Sequence, residues 1–371
     1  MSLLKKTFLP ALFSGALAFS ASAHAGLYGF TSANPYSYEE EILDIKVPPE
    51  HIPNYRAEMR GNIIALADFA AARNKDFQII VHEGQELLHK SLWEYHLDGY
   101  NEARRKGINA NDPTFLARLK KHAPEREPVA GTQAALYQKK LSAVAVNNLF
   151  CGSASVSPHI KKAGLRLISI DSCPTEDLFD EGAMNSVGLN SLFYGFIKPQ
   201  SAFKKIKKQP IINENAENIF NVKDAKNISF LIDDSLYGDK ESFLEDIRNS
   251  NYDIVVIEPF FQHKTPFTAE EISGLKFKKN GTRRQIIAKM NVSEARSDDY
   301  FWRDSWRLEN PSWLRRASFV DANGVIVEYW NDEWKNVMGK YFKGIVDTGF
   351  DGAFLTGLEN HRFFEKQTPL E

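Results

Sequence analysis

The chain has 371 residues, 43% of them hydrophobic and 12% aromatic, with a formal net charge of −2. That length and apolar content suffice for one large core or two small domains. No basic excess is available to meet a phosphate backbone, so nucleic acid is not an expected partner.

The N-terminus reads as an export signal over 1–25. Lys5 and Lys6 give a positive start, 8–21 is a short apolar run, and Ala23-His24-Ala25 is a small-x-small cleavage site. Cleavage there removes both lysines, takes the charge from −2 to −4, and implies a secreted or periplasmic protein. No other apolar run reaches the ~18 residues of a membrane span, so no membrane contact is expected after cleavage.

Periodicity then alternates between helix and strand. Residues 54–74 carry an apolar stripe at Met59, Ile63, Leu66, Ala67 and Ala70, which predicts a helix. A strand follows at 77–81. Helices are predicted at 87–105 and 113–122, then a strand at 142–146, a helical turn at 158–163 and a strand at 166–170. A helix at 182–190 and a strand at 192–197 complete the first half. The polar stretch 203–224 reads as a solvated helix or loop. The second half gives strands at 228–232, 253–257, 286–290 and 352–355, with helices at 240–249, 268–275 and 333–348. The run Asp253-Ile-Val-Val-Ile257 is apolar on both faces, as in a parallel sheet.

Eight strands separated by helical sequence favour a closed (β/α)8 TIM barrel, one domain over 26–371. An open doubly wound sheet is the alternative. No glycine-rich phosphate loop, metal-ligand spacing or nucleophile elbow stands out, so neither cofactor nor metal is expected.

In such a barrel, chemistry sits in the loops at the carboxyl ends of strands. Acids and amides fall there: Glu83, Asn147, Asp171, Asp233, Glu258 and Glu294. Each alone reads equally as a solvated loop residue; converging on one mouth, two carboxylates suit glycoside cleavage. Five of the six tryptophans lie between Trp302 and Trp334. Trp302, Trp306, Tyr329 and Trp330 either present flat faces to sugar rings or pack a long loop onto the barrel. Cys151 and Cys173 form a candidate disulfide in an oxidising compartment.

Several segments resemble one family. These are 227–261, 267–271 (FTAEE), 279–284 (KNGTRR), 290–295 (MNVSEA), 310–314 (NPSWL), 328–334 (EYWNDEW) and 349–356 (GFDGAFLT). Together they are similar to the endo-α-1,4-polygalactosaminidases of glycoside hydrolase family 114. Segments 59–88, 142–150, 165–173 and 191–199 resemble that family's second half, yet here they come first. The resemblance therefore implies a circularly permuted barrel, with family strands 5–8 in 26–200 and strands 1–4 in 225–371.

It further implies an exported hydrolase of an amino-sugar-containing polysaccharide or oligosaccharide, acting as a monomer. Glu294 would be the acid/base and Glu258 the partner carboxylate. Asp171, Glu83, Asp233, Asn147 and the aromatics Trp302, Trp306, Tyr329 and Trp330 would contact substrate. In the permuted order Cys151 and Cys173 follow neighbouring strands, which implies that they are bonded. The chain departs from the family at Glu258, which stands for Asp, at Asn147, which stands for Glu, and at Thr356, which stands for Asp. Those departures support a second expectation, a non-catalytic carbohydrate-binding barrel. A third is a secreted structural or partner-binding protein.

Overall fold

The computed structural model describes residues 51–368 except 110–111, 116, 118–130, 198, 200–201 and 208–209. The stretch 1–25 expected to be an export signal, and most of the helix expected at 113–122, lie outside the described residues.

Helix α1 (Tyr55–Ala71) opens the described chain, and the side chain of Asn54 caps it by accepting from Ala57 N at 2.9 Å. All five residues of its apolar stripe are buried. Then come β1 (Gln78–His82), a 3-10 turn (Gly84–Leu88), α2 (Leu92–Arg105), α3 (Gln133–Lys140), β2 (Ala143–Asn147), α4 (Pro158–Lys162), β3 (Arg166–Ser172), α5 (Glu176–Gly188) and β4 (Leu192–Phe196). The second half holds β5 (Ile228–Leu231), α6 (Lys240–Arg248), β6 (Ile254–Ile257), the two-residue strands β7 (Phe260–Phe261) and β8 (Thr265–Pro266), and α7 (Ala269–Leu275). It continues through β9 (Gln285–Asn291), β10 (Glu294–Arg296), β11 (Leu314–Ala317), β12 (Gly324–Val327), α8 (Asp332–Thr348), β13 (Gly352–Thr356), a 3-10 turn (Leu358–Asn360) and α9 (His361–Gln367).

Three sequence expectations need correction. The helix expected at 182–190 spans Glu176–Gly188, because the side chain of Thr175 caps it by accepting from Leu178 N at 3.3 Å. The helix expected from 87 begins at Leu92, because Ser91 and Glu94 close a capping box in which each accepts from the other's backbone N–H. Helical sequence was also expected between every pair of strands. Among the described residues no α-helix lies between β4 and β5.

The fold is mixed α/β. Eight strands form one all-parallel sheet in the order β4-β3-β2-β1-β13-β9-β6-β5, nearly closed into a TIM-like barrel. The two halves of the chain thus make the two halves of the wall. They join where β1 pairs with β13, Gln78 opposite Gly352. At the opposite seam β4 and β5 approach through the rings of Tyr194 and Phe230, 5.0 Å apart. Phe203 is wedged between them. Its N–H donates to Tyr194 Oη at 3.0 Å, and its carbonyl accepts from Ile232 and Asp233 N at 3.1 Å.

Strand alternation sorts side chains between the inside of the barrel and the helix layer. Ile80, Ala145, Ile170, Phe230, Val256, Ile287 and Phe354 belong to an inner core. Val81, Val144, Val255, Ile286 and Leu355 belong to the larger outer core shared with the helices. The alternation continues to the carboxyl ends. It directs His82, Asn147, Glu258, Lys289, Asn291 and Thr356 toward the inside at the mouth.

Candidate active site

Glu294 opens β10, the first strand of a three-stranded antiparallel sheet, β10-β12-β11, that follows β9. Its main-chain N–H donates to Asn291 Oδ1 at 3.0 Å, which turns the chain sharply after β9. Its carboxylate accepts three bonds: from Asn291 Nδ2 at 3.2 Å, from Ser318 Oγ at 3.2 Å and from Asn360 Nδ2 at 3.1 Å. The residue is only 9% exposed, and burial pushes its carboxyl up to about 7 against those hydrogen bonds. Glu359 and Asp321 nearby push it the same way.

The turn after β13 is folded onto this residue. Gly357 has φ +83°, and a Cβ there would lie 2.2 Å from Asn291 Oδ1 and 2.5 Å from Ser293 Oγ. Only glycine satisfies both the conformation and the space. The Gly357 carbonyl accepts from Ser293 Oγ at 2.6 Å, which fixes Asn360 beside Glu294.

Glu258 and Glu294 line one cavity of about 60 Å³, together with His263, Lys289, Arg296, Asp299, Asp321, Trp334 and Tyr341. On the scale where one water needs about 10–15 Å³, it holds a few waters and no sugar ring. Glu258 is ion-paired, its Oε1 2.6 Å from Lys289 Nζ. Arg296 bridges Asp298 and Asp321, donating to Asp298 from Nε at 2.9 Å and from Nη2 at 3.0 Å. Asp299 accepts from Arg296 N at 3.0 Å, and burial pushes its carboxyl up to about 6. His263, Asp298 and Asp299 hold potential metal-ligand atoms within 4.8 Å of one another. Sequence spacing had not indicated that group. The guanidinium of Arg296 already occupies both oxygens of Asp298.

The other residues singled out from the sequence are placed elsewhere. Asn147 reaches the mouth and shares a 2.9 Å hydrogen bond with His82 Nε2. Glu83, in the left-handed region at φ 58°, accepts from Asn147 N at 2.8 Å, and burial raises its carboxyl. Asp171 follows the outward alternation of β3 and is fully buried. It accepts from Phe150 N and Cys151 N, both at 2.8 Å, so it pins the loop that carries the disulfide Cys151–Cys173. Asp233 accepts from Ser235 N at 3.1 Å and pairs with Lys204 at 3.5 Å.

Trp302, Trp306, Tyr329 and Trp330 are absent from the cavity lining. Trp302, Trp306, Trp313 and Trp334 form a chain of ring contacts with centroids 5.0–5.6 Å apart. Tyr329 is fully buried and donates to Tyr55 O at 2.9 Å, and Trp330 packs on Phe364 at 4.6 Å. Packing a long loop onto the barrel is what these rings do here. Trp334 alone of the tryptophans lines the cavity, its indole N–H held by Val292 O at 2.9 Å.

Lys289, Asn291, Ser318 and Asn360 were missed by sequence reasoning. Lys289 carried a signal: a cation within a buried strand, in phase with Ile287, must face the inside. Asn360 carried none, because it reaches Glu294 only through the turn at Gly357.

No protein-family model matches the chain. It is 29% identical over 177 residues to an uncharacterized protein of Methanocaldococcus jannaschii, covering 46% of this chain and 49% of that one. It is 26% identical over 81 residues to an uncharacterized protein of Thermotoga maritima, covering 22% and 25%. An uncharacterized protein of Deinococcus radiodurans matches at 25% over 120 residues, covering 32% and 37%. The chain thus spans at most about half the length of these relatives.

Proposed function

We propose that the protein is an exported glycoside hydrolase of the polygalactosaminidase kind, acting on an amino-sugar-containing polysaccharide. The observation that carries this reading is Glu294: a buried carboxyl at the barrel mouth, pushed up to about 7, sharing one cavity with a second carboxylate, Glu258. A carboxyl in that range is substantially protonated near neutrality and can protonate a departing glycosidic oxygen. Glu258, one oxygen held by Lys289, stays beside the centre where positive charge develops on the sugar.

The chain order is read as a circular permutation of that family's barrel. The test is incubation of the mature protein with α-1,4-galactosaminan oligosaccharides, with products followed by chromatography. Hydrolysis abolished in Glu294→Gln is the expected result; full turnover in that variant removes Glu294 from the chemistry.

The alternative reading is a carbohydrate-binding barrel without turnover. It is favoured by Thr356, an uncharged residue whose hydroxyl donates to Met290 O at 3.5 Å, and by the Lys289 pair on Glu258. Saturable glycan binding with no product from any related substrate would select it.

A further inference from the structure

At the end of the barrel opposite Glu294, three side chains from separate segments meet. Lys278 precedes β9, Asp253 precedes β6, and Asn215 lies in the stretch between β4 and β5. The side chains of Lys278 and Asp253 are wholly buried, and Asn215 is half-buried.

The two oxygens of Asp253 are divided between the other two residues. Oδ1 accepts from Lys278 Nζ at 2.6 Å, and Oδ2 accepts from Asn215 Nδ2 at 2.8 Å. One carboxylate thus bridges an amine and the nitrogen of an amide. Lys278 Nζ also donates to Asn215 Oδ1 at 3.2 Å. A carbonyl bond is about 1.2 Å long, so Asn215 Cγ lies no farther than about 4.4 Å from Nζ. The main-chain N–H of Glu217 donates to the same Oδ1 at 3.0 Å and polarises the carbonyl from a second side. Lys226 N donates to Asp253 Oδ2 at 2.7 Å and holds the carboxylate in place.

These are the parts of an acyl transfer: a nucleophile, a base that also reaches the leaving nitrogen, and an N–H on the carbonyl oxygen. We propose that Lys278 and Asn215 become joined by an isopeptide bond, formed by the folded chain itself. Asp253 Oδ1 takes a proton from the Lys278 ammonium, and the freed Nζ lone pair attacks Asn215 Cγ. The carbonyl electron pair moves onto Oδ1, where the Glu217 N–H meets the charge. Asp253 then passes a proton from Oδ2 to Nδ2 while receiving a second Nζ proton at Oδ1. The carbonyl re-forms, the Cγ–Nδ2 bond breaks and ammonia leaves, carrying the last proton from Asp253 as ammonium. The third Nζ proton stays as the new amide N–H, and no oxidant or co-reactant is consumed. Burial keeps water from competing for the carbonyl. The product ties the stretch before β5 to the segment before β9, independently of any chemistry at the mouth.

Mass spectrometry of the reduced mature protein, its N-terminus fixed by sequencing, tests this. The parent is expected to be lighter than its sequence by one ammonia. Its tryptic map should contain a branched peptide joining the Asn215 segment to Lys278, with no cleavage after Lys278. Asn215→Ala and Lys278→Met should each have full mass and no branched peptide. Lys278→Met strands Asp253 and is checked for folding; Asn215→Ala, at a half-buried position, is the milder control. A parent of full mass overturns the proposal and leaves Lys278–Asp253 an ion pair only. So does loss of ammonia without a branched peptide, as from cyclisation at Asn280-Gly281, or a branched peptide that survives in Asn215→Ala.

Discussion

Asn360 Nδ2 lies 3.1 Å from Glu294 Oε1 and 2.8 Å from Ser293 Oγ, so one buried amide on the turn after β13 holds two neighbouring residues just beyond β9. Neighbouring strands of the barrel are thereby tied together at the carboxylate proposed for the chemistry.

That bond favours the ionised form of Glu294. Asn360→Leu removes it, and the carboxyl is expected to titrate higher still than about 7. The variant also leaves Ser293 and Glu294 short of a donor, which costs about 1–3 kcal/mol of stability. Carbon-13 NMR titration of glutamate carboxyls reads the first effect, and urea unfolding the second. A Glu294 titration at or below the parent value would show that Asn360 does not act on it.

Glu294 also sets a pH dependence of stability. Its ordinary value is 4.5 and its folded value about 7, so the folded protein binds the extra proton between those limits. A raised carboxyl is a penalty on the ionised form. It is absent below pH 4.5, grows through that window and is complete above about 7, where it amounts to roughly 3 kcal/mol. The parent should therefore lose stability between about pH 5 and about pH 8, and Glu294→Gln should lose less. Urea unfolding at both pH values measures the two drops. Equal drops in parent and variant would place the titration elsewhere.

The Lys289–Glu258 pair is part-buried, with side chains 20% and 16% exposed. Lys289→Met strands the carboxylate of Glu258 in a half-dry mouth, and a loss of about 1–3 kcal/mol is expected, below the figure for fully buried pairs because solvent reaches this one. Lys289→Met combined with Glu258→Gln should recover most of it, since no uncompensated charge remains. Additive losses in the double variant would mean that the two side chains are energetically independent.

Most of the wall was legible in the sequence. All eight barrel strands lie within two residues of the runs read from apolar patterning, because a strand covered on both faces is apolar throughout and carries its signal locally. The helices were located less well. α2 starts late because of the Ser91–Glu94 box, and α5 starts early because Thr175 caps it.

The site was legible in part. Glu258 and Glu294 were named from their positions after strands, and the folded chain puts them on one cavity. Asp171 occupied an equivalent position in sequence, yet its alternation points it outward, where it caps a loop instead. The aromatics were ambiguous, since a tryptophan suited to a sugar face is equally suited to a core.

The sequence by itself determined which segments become the eight barrel strands and that carboxylates gather at one end of them. Those properties are written in nearest neighbours and in a period of two. Only the tertiary structure decided what each carboxylate is. Lys289 reaches Glu258 across β9 and β6, and Asn360 reaches Glu294 from 66 positions away. Burial and long-range pairing set whether a carboxyl holds a proton, and neither exists until the barrel is formed.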